Sequence, residues 1–159
     1  MKKQQGFTLI ELLVVIAIIG VLSAVVLASL NTARTKGNDV GVKANLSTVT
    51  TQAALYLSDN NNTYGTFANA ACPAVGDTGT GVFYNTTIEN AIAAAILDSS
   101  GGSATCSSTD TAYAVAVSRP SGAAAPTSAY WCVDSLGAHC GVGDTTLPGS
   151  ACGTCLTTQ

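Results

Sequence analysis

Charge is the scarcest feature of this sequence. Asp, Glu, Lys and Arg make up 9% of its 159 residues, against roughly 25% in an ordinary soluble domain. Setting Lys2 and Lys3 aside, only Arg34, Lys36, Lys43 and Arg119 are basic, and they face nine acidic residues. A broad nucleic-acid surface needs several Lys or Arg to neutralise phosphates, so nucleic acid is not an expected partner. Histidine is nearly missing: His139 stands alone, beside Cys140, with no acid partner in view. The acids are scattered singly, no constellation for hydrolysis forms, and the chain reads as a non-enzyme with no cofactor. Proline is absent before Pro73, so none interrupts a helix in the first 72 residues. With so few charges, the surface must be built from Ser, Thr, Asn and Gly, which abound from Asn31 onward. Such a coat suits an exported or polymerised protein.

What the chain has in abundance is one apolar run. Phe7 to Leu30 is 24 residues with a single charge, Glu11. As a helix it would extend roughly 36 Å, enough to cross a bilayer. Thr8, Ser23 and Ser29 can bond back to helical carbonyls, whereas Glu11 has no such remedy. A carboxylate at mid-membrane costs about 2.5 kcal/mol or more, so Glu11 calls for a partner from outside the segment. A secretory signal fits poorly, because its apolar core is shorter and its cleavage site follows that core. A plain anchor would place Lys2 and Lys3 on the cytoplasmic side, yet gives no reason for Glu11.

The order KKQQG, then FTLIELL, then a long apolar run resembles the prepilin signal of type IV pilins and related pseudopilins. The resemblance implies cleavage between Gly6 and Phe7 by a membrane peptidase, N-methylation of Phe7, and a role for Glu11 in subunit assembly. Removing the leader also removes Lys2 and Lys3, leaving four bases against nine acids and a formal net charge of −5.

Beyond Leu30 the apolar positions Val42, Leu46, Val49, Ala53 and Tyr56 recur at helical spacing, broadened by Ala54 and Leu57. They predict one helix from about Phe7 to Leu57, loosest over Asn31–Gly41, where Gly37 and Gly41 each weaken it by about 1 kcal/mol. Ser58 to Asn62 favours a turn and should stop it. Tyr64 to Gly81 reads as a loop. Thr86, Thr87, Ile88 and Glu89 form a capping-box pattern that opens a short second helix to about Leu97, and Ser99 to Ser108 reads as another loop. Alternation of Tyr113, Val115 and Val117 with Ala predicts a strand with one face on a core. Tyr130 to Val133 is a second strand, and Ala138 to Val142 a weaker third. Ser118 to Ser128 and Asp134 to Gly137 are the turns between them. The expected class is α+β: a long N-terminal helix, apolar then amphipathic, packed on a small antiparallel sheet, with a short second helix and disulfides. That element order is also the one a type IV pilin has, although pilins often carry a proline partway along the helix and this chain does not.

Cys72, Cys106, Cys132, Cys140, Cys152 and Cys155 all lie outside the long helix, and an even count in an exported segment reads as disulfides. Six cysteines allow 15 connectivities. Cys72 with Cys106 would tie the loop, and the remaining four would fasten the C-terminal end. Two sharper readings compete: Cys152 and Cys155 as a C-x-x-C thiol centre of a membrane-anchored protein, and Cys132, Cys140, Cys152 and Cys155 as zinc ligands with His139 as a substitute. Asp134 and Asp144 are of a type to hold calcium, without the usual ligand spacing. Asn45, Asn61 and Asn85 match the N-glycosylation acceptor pattern.

These features divide the chain into a leader (1–6), a transmembrane and polymerisation helix (7–30), its amphipathic continuation (31–57) and a globular head (58–159). The resemblance implies a type IV pilus (fimbrial) structural subunit that is polymerised into an extracellular filament for adhesion, twitching motility or uptake. The alternative within the superfamily is a pseudopilin of a type II secretion system. The implied partners are many copies of itself, a prepilin peptidase and methyltransferase, the pilus assembly platform, other minor pilins, and the membrane before assembly. The implied location is the cytoplasmic membrane as a single pass, with the C-terminal domain outside, and then the extracellular pilus.

Overall fold

A computed structural model of the chain describes residues 6–120, 129–143, 145–147, 150–153 and 157–158. Helix α1 runs from Leu9 to Asp59 without a break. Its start is capped by Thr8, and its body is rich in Leu, Ile, Ala and Val with no proline. Gly37 and Gly41 do not interrupt it, so the loosening expected over Asn31–Gly41 is not seen. At Gly41 the missing side chain has a use, because a Cβ there would stand 2.5 Å from Asp98 Oδ2. The helix stops where Asn61 and Asn62 turn left-handed, at φ 55° and 59°. The Asn62 amide then closes the end on Leu57 O at 3.0 Å.

Contacts divide the chain into two units, Met1–Arg34 and Thr35–Gln159. The second unit has its own core, built on the predicted stripe of α1. Val42, Leu46, Val49 and Ala53 are fully buried, while Tyr56 and Leu57 pack at its margin. Ala54, expected to widen the stripe, is exposed.

After α1 come strand β1 (Phe67–Ala71), a 3₁₀ turn (Val82–Tyr84), helix α2 (Thr86–Asp98) and strands β2 (Ala104–Ser108), β3 (Tyr113–Ser118), β4 (Tyr130–Asp134), β5 (His139–Val142) and β6 (Thr157–Thr158). The strands form one sheet in sequence order, each neighbour antiparallel. Short connections favour that arrangement between β2 and β3 and between β4 and β5.

Two segments read as loops hold strands. β1 lies within Tyr64–Gly81, and β2 occupies the end of Ser99–Ser108. Phe67 aside, their residues are Ala, Asn, Thr, Cys and Ser and carry no alternation of large apolar side chains. Pairing makes them strands: β2 lies in register along β3, with Cys106 opposite Val115, and β1 completes that edge. The α2 cap also differs from the expected box. Asn85, not Thr86, is the N-cap, accepting from the amides of Thr87 and Ile88 at 3.0 and 3.3 Å. Glu89 turns away to accept from the Gly76 amide at 3.1 Å and is buried.

β3 is covered on both faces, not one. Tyr113, Val115 and Val117 join the core shared with α1 and α2. Ala114 and Ala116 lie under a second cluster with Cys132, Cys140, Val142, Leu147 and Cys152. The C-terminal tail, which has no periodicity, therefore supplies a lid for the small-residue face. Most of the predicted turn between β3 and β4, residues 121–128, falls outside the described residues.

Candidate functional site

The N-terminal segment positions one carboxylate in a wholly apolar setting. Glu11 is in the first turn of α1, and Thr8 holds it through both backbone and side chain. The Thr8 amide and hydroxyl both donate to Glu11 Oε2, at 2.8 and 2.6 Å. In return the Glu11 amide donates to Thr8 Oγ1 at 3.3 Å. This reciprocal cap satisfies helix-end amides and places an anion where the helix dipole is positive. It engages Oε2 only; Oε1 has no protein partner among the described residues.

Gly6 and Phe7 precede the helix, and Phe7 is 85% exposed. From Leu9 to Leu30 every side chain is exposed, and the helix reaches a mean hydropathy of 3.0 over 18 residues. Isoleucines and leucines that a single chain leaves bare must find lipid or other apolar helices, since water penalises each by about 1.5–3 kcal/mol. The capping hydroxyl and amide belong to Thr8. A cut between Gly6 and Phe7 would therefore leave the Glu11 cap intact.

In the second unit the cysteines are structural. Cys72 is bonded to Cys106 and Cys132 to Cys152. Cys140 is disulfide-bonded as well, and Cys155 lies outside the described residues. The bond to Cys132 corrects the thiol reading, because Cys152 is buried in a disulfide and is not one half of a C-x-x-C centre. It corrects the zinc reading for the same reason, since zinc takes thiolates. His139 opens β5, opposite Val133.

The calcium reading fails at Asp134. Its Oδ1 accepts from the amides of Leu136 and Ala138, and its Oδ2 from the amide of Cys152, each at 2.9 Å. Three amides occupy the carboxylate, which thereby holds the β4–β5 turn and the tail together. Asp144 lies outside the described residues. Of the glycosylation-type asparagines, Asn45 donates to Asp98 Oδ2 at 3.0 Å and Asn85 caps α2.

One cluster has no counterpart in the sequence reading. Trp131 Nε1 donates to Asp39 Oδ1 at 2.7 Å. Asp39 also pairs with Lys43 and Arg119, at 3.6 and 3.4 Å. Both cations approach the indole ring, at 4.1 and 4.4 Å from its centre. Asp39 and Lys43 are four residues apart, a local hint. Trp131 and Arg119 join them only through the fold.

Comparison with known proteins bears on the N-terminal segment. Residues 1–27 match the family model described as the prokaryotic N-terminal methylation motif. The chain is 47% identical over 62 residues to the type IV wide pilus major component PilA4 of Thermus thermophilus. That alignment covers 39% of this chain and 47% of the relative, so the chain spans about half the length of the relative it matches. No solved structure matches the chain.

Proposed function

We propose that this chain is a type IV pilin-like protein, a pilus subunit processed at Gly6 and polymerised through its own apolar helix. The observation that carries the reading is Glu11: one carboxylate in a fully exposed apolar helix, held by Thr8 through a single oxygen.

In this reading residues 1–6 are a leader, 7–30 the membrane and polymerisation helix, 31–57 its continuation and 58–159 the head. A prepilin peptidase cuts between Gly6 and Phe7 and the new Phe7 amine is methylated, which leaves it cationic. The precursor rests in the cytoplasmic membrane, with Lys2 and Lys3 inside and the head outside. Copies then leave the bilayer at an assembly platform, with minor pilins as further partners, and bundle their apolar helices. The exchange is feasible because lipid tails and sister helices are equally apolar. Within that dry bundle the Phe7 amine of one copy meets Glu11 of a neighbour. Oε2 stays on Thr8 while Oε1 takes the cation, so one carboxylate both caps its helix and joins two copies.

Removing one member of a buried charge pair typically costs about 3–5 kcal/mol. Glu11→Ala should therefore leave insertion and cleavage intact and abolish incorporation into filaments; normal filaments from that variant would sink the proposal. Gly6→Leu should block processing, read as retention of the leader in the N-terminal mass. The relative is a wide-pilus component, which favours a surface pilus over the short fibre of a secretion machine. Negative-stain microscopy of a sheared surface fraction separates the two. Adhesion, twitching motility and uptake are activities of a whole filament.

A further inference from the structure

Sorting the charged side chains of the described residues by partner leaves three unmatched. Lys43 and Arg119 are taken by Asp39, and every described acid other than Asp59 accepts at least one hydrogen bond or ion pair. The three that remain are Arg34, Lys36 and Asp59, all exposed. They have opposite signs and lie at opposite ends of one stretch of α1. Asp59 comes 23 positions after Lys36, roughly 35 Å at the helical rise, so the two cannot pair within one chain.

Asp59 is also the last residue of α1, and that final turn contains no basic residue. The negative end of the helix dipole disfavours a carboxylate there. Its place calls for a cation, and none of its own chain supplies one among the described residues.

We propose that in the filament the Asp59 end of one copy docks on Arg34 and Lys36 of a second copy displaced by roughly 35 Å along the helix direction. The inference rests on the pilus-subunit reading above. Because the two surfaces differ, the contact is head-to-tail and does not close on itself, which is what an open filament requires. It joins a different pair of neighbours from the Phe7–Glu11 contact. Those residues are four positions apart, so they link copies offset by roughly 6 Å. A helical array supplies both kinds of neighbour, one fixing the helix bundle and the other spacing the heads.

Zero-length carbodiimide crosslinking of sheared filaments, followed by peptide mass spectrometry, tests the contact. The expected product is a Lys36–Asp59 isopeptide, present in filaments, absent from detergent-dispersed subunits and lost in Asp59→Asn. Asp59→Lys should reduce filament yield, and adding Arg34→Glu with Lys36→Glu should restore it. Filaments should also weaken as salt rises, because exposed charge pairs are screened. Wild-type filaments without the crosslink, together with normal yield from Asp59→Lys, would overturn the contact while leaving the subunit reading intact. The contact is likewise overturned if Arg34→Gln with Lys36→Gln spares the filaments and only lowers precursor binding to phosphatidylglycerol vesicles, since the basic end would then serve lipid headgroups. Absence of any wild-type filament would instead remove the subunit reading, and this contact with it.

Discussion

Trp131 is the single tryptophan of the chain, and two cations and one carboxylate surround it. In so uncharged a protein this cluster uses two of the four bases beyond Lys3. Hydrogen bonds to a charged group contribute about 1.5–3 kcal/mol, and Asp39 and Arg119 are mostly shielded from water. Asp39→Asn should therefore lower the stability of the head by about 1–3 kcal/mol. Guanidinium unfolding followed by Trp131 fluorescence reports on that very site; an unchanged midpoint would refute it. Tyr113 makes a second prediction. Burial pushes its phenol up to about 12, and a contact with Thr50 offsets this only in part. The folded state thus holds the proton more tightly than the unfolded chain, whose tyrosines titrate near 10. Its contribution is complete below about pH 10 and is lost as pH rises through about 12, some 2–3 kcal/mol in all. Tyr113→Phe should flatten that alkaline loss, as read by circular dichroism. Tyr64, raised for the same reason and packed edge-on against Tyr113 at 5.0 Å, should titrate in the same direction.

Helix α1 carries two kinds of surface along one continuous element. Leu46 is fully buried in the head, whereas Leu22 is 60% exposed. Leu46→Ala should cost about 2–5 kcal/mol of head stability through the cavity it leaves. Leu22→Ala should leave the denaturation midpoint unmoved. Equal effects from the two would contradict the division of labour. The apolar run, and the three- and four-residue spacing that follows it, made α1 legible to within two residues at each end. β3 and β4 were legible because large apolar residues recur within them, whereas β5, with only Val142, read weakly. β1 and β2 were not, because their mostly small residues become strands only when a neighbour offers a ladder, β3 to β2 and β2 to β1. The disulfides act at this scale too. Cys72–Cys106 spans 34 residues and Cys132–Cys152 spans 20, each worth about 3–4 kcal/mol in the chain-entropy model. Cys72→Ala with Cys106→Ala should reduce unfolding free energy by that order, measured in denaturant.

At the scale of the molecule, every described core residue lies at or beyond Val42, and residues 6–34 bury nothing of themselves. A chain lacking residues 1–34 should therefore fold and remain a monomer by gel filtration, with native Trp131 fluorescence. Aggregation or a random-coil spectrum would show that the head depends on its apolar segment. The sequence by itself determined the apolar helix, its lone Glu11, the amphipathic stripe after it and the need for disulfides. Each of these is written in composition or in spacings of a few residues, where local geometry leaves little choice. The tertiary structure decided which cysteines meet, that Asn85 caps α2, that the alanine face of β3 is roofed by the tail, and that Asp39 finds Trp131 and Arg119. Those partners stand 20 to 92 residues apart in several of these contacts. Nothing local links such distant groups; only the path of the chain through the sheet brings them together.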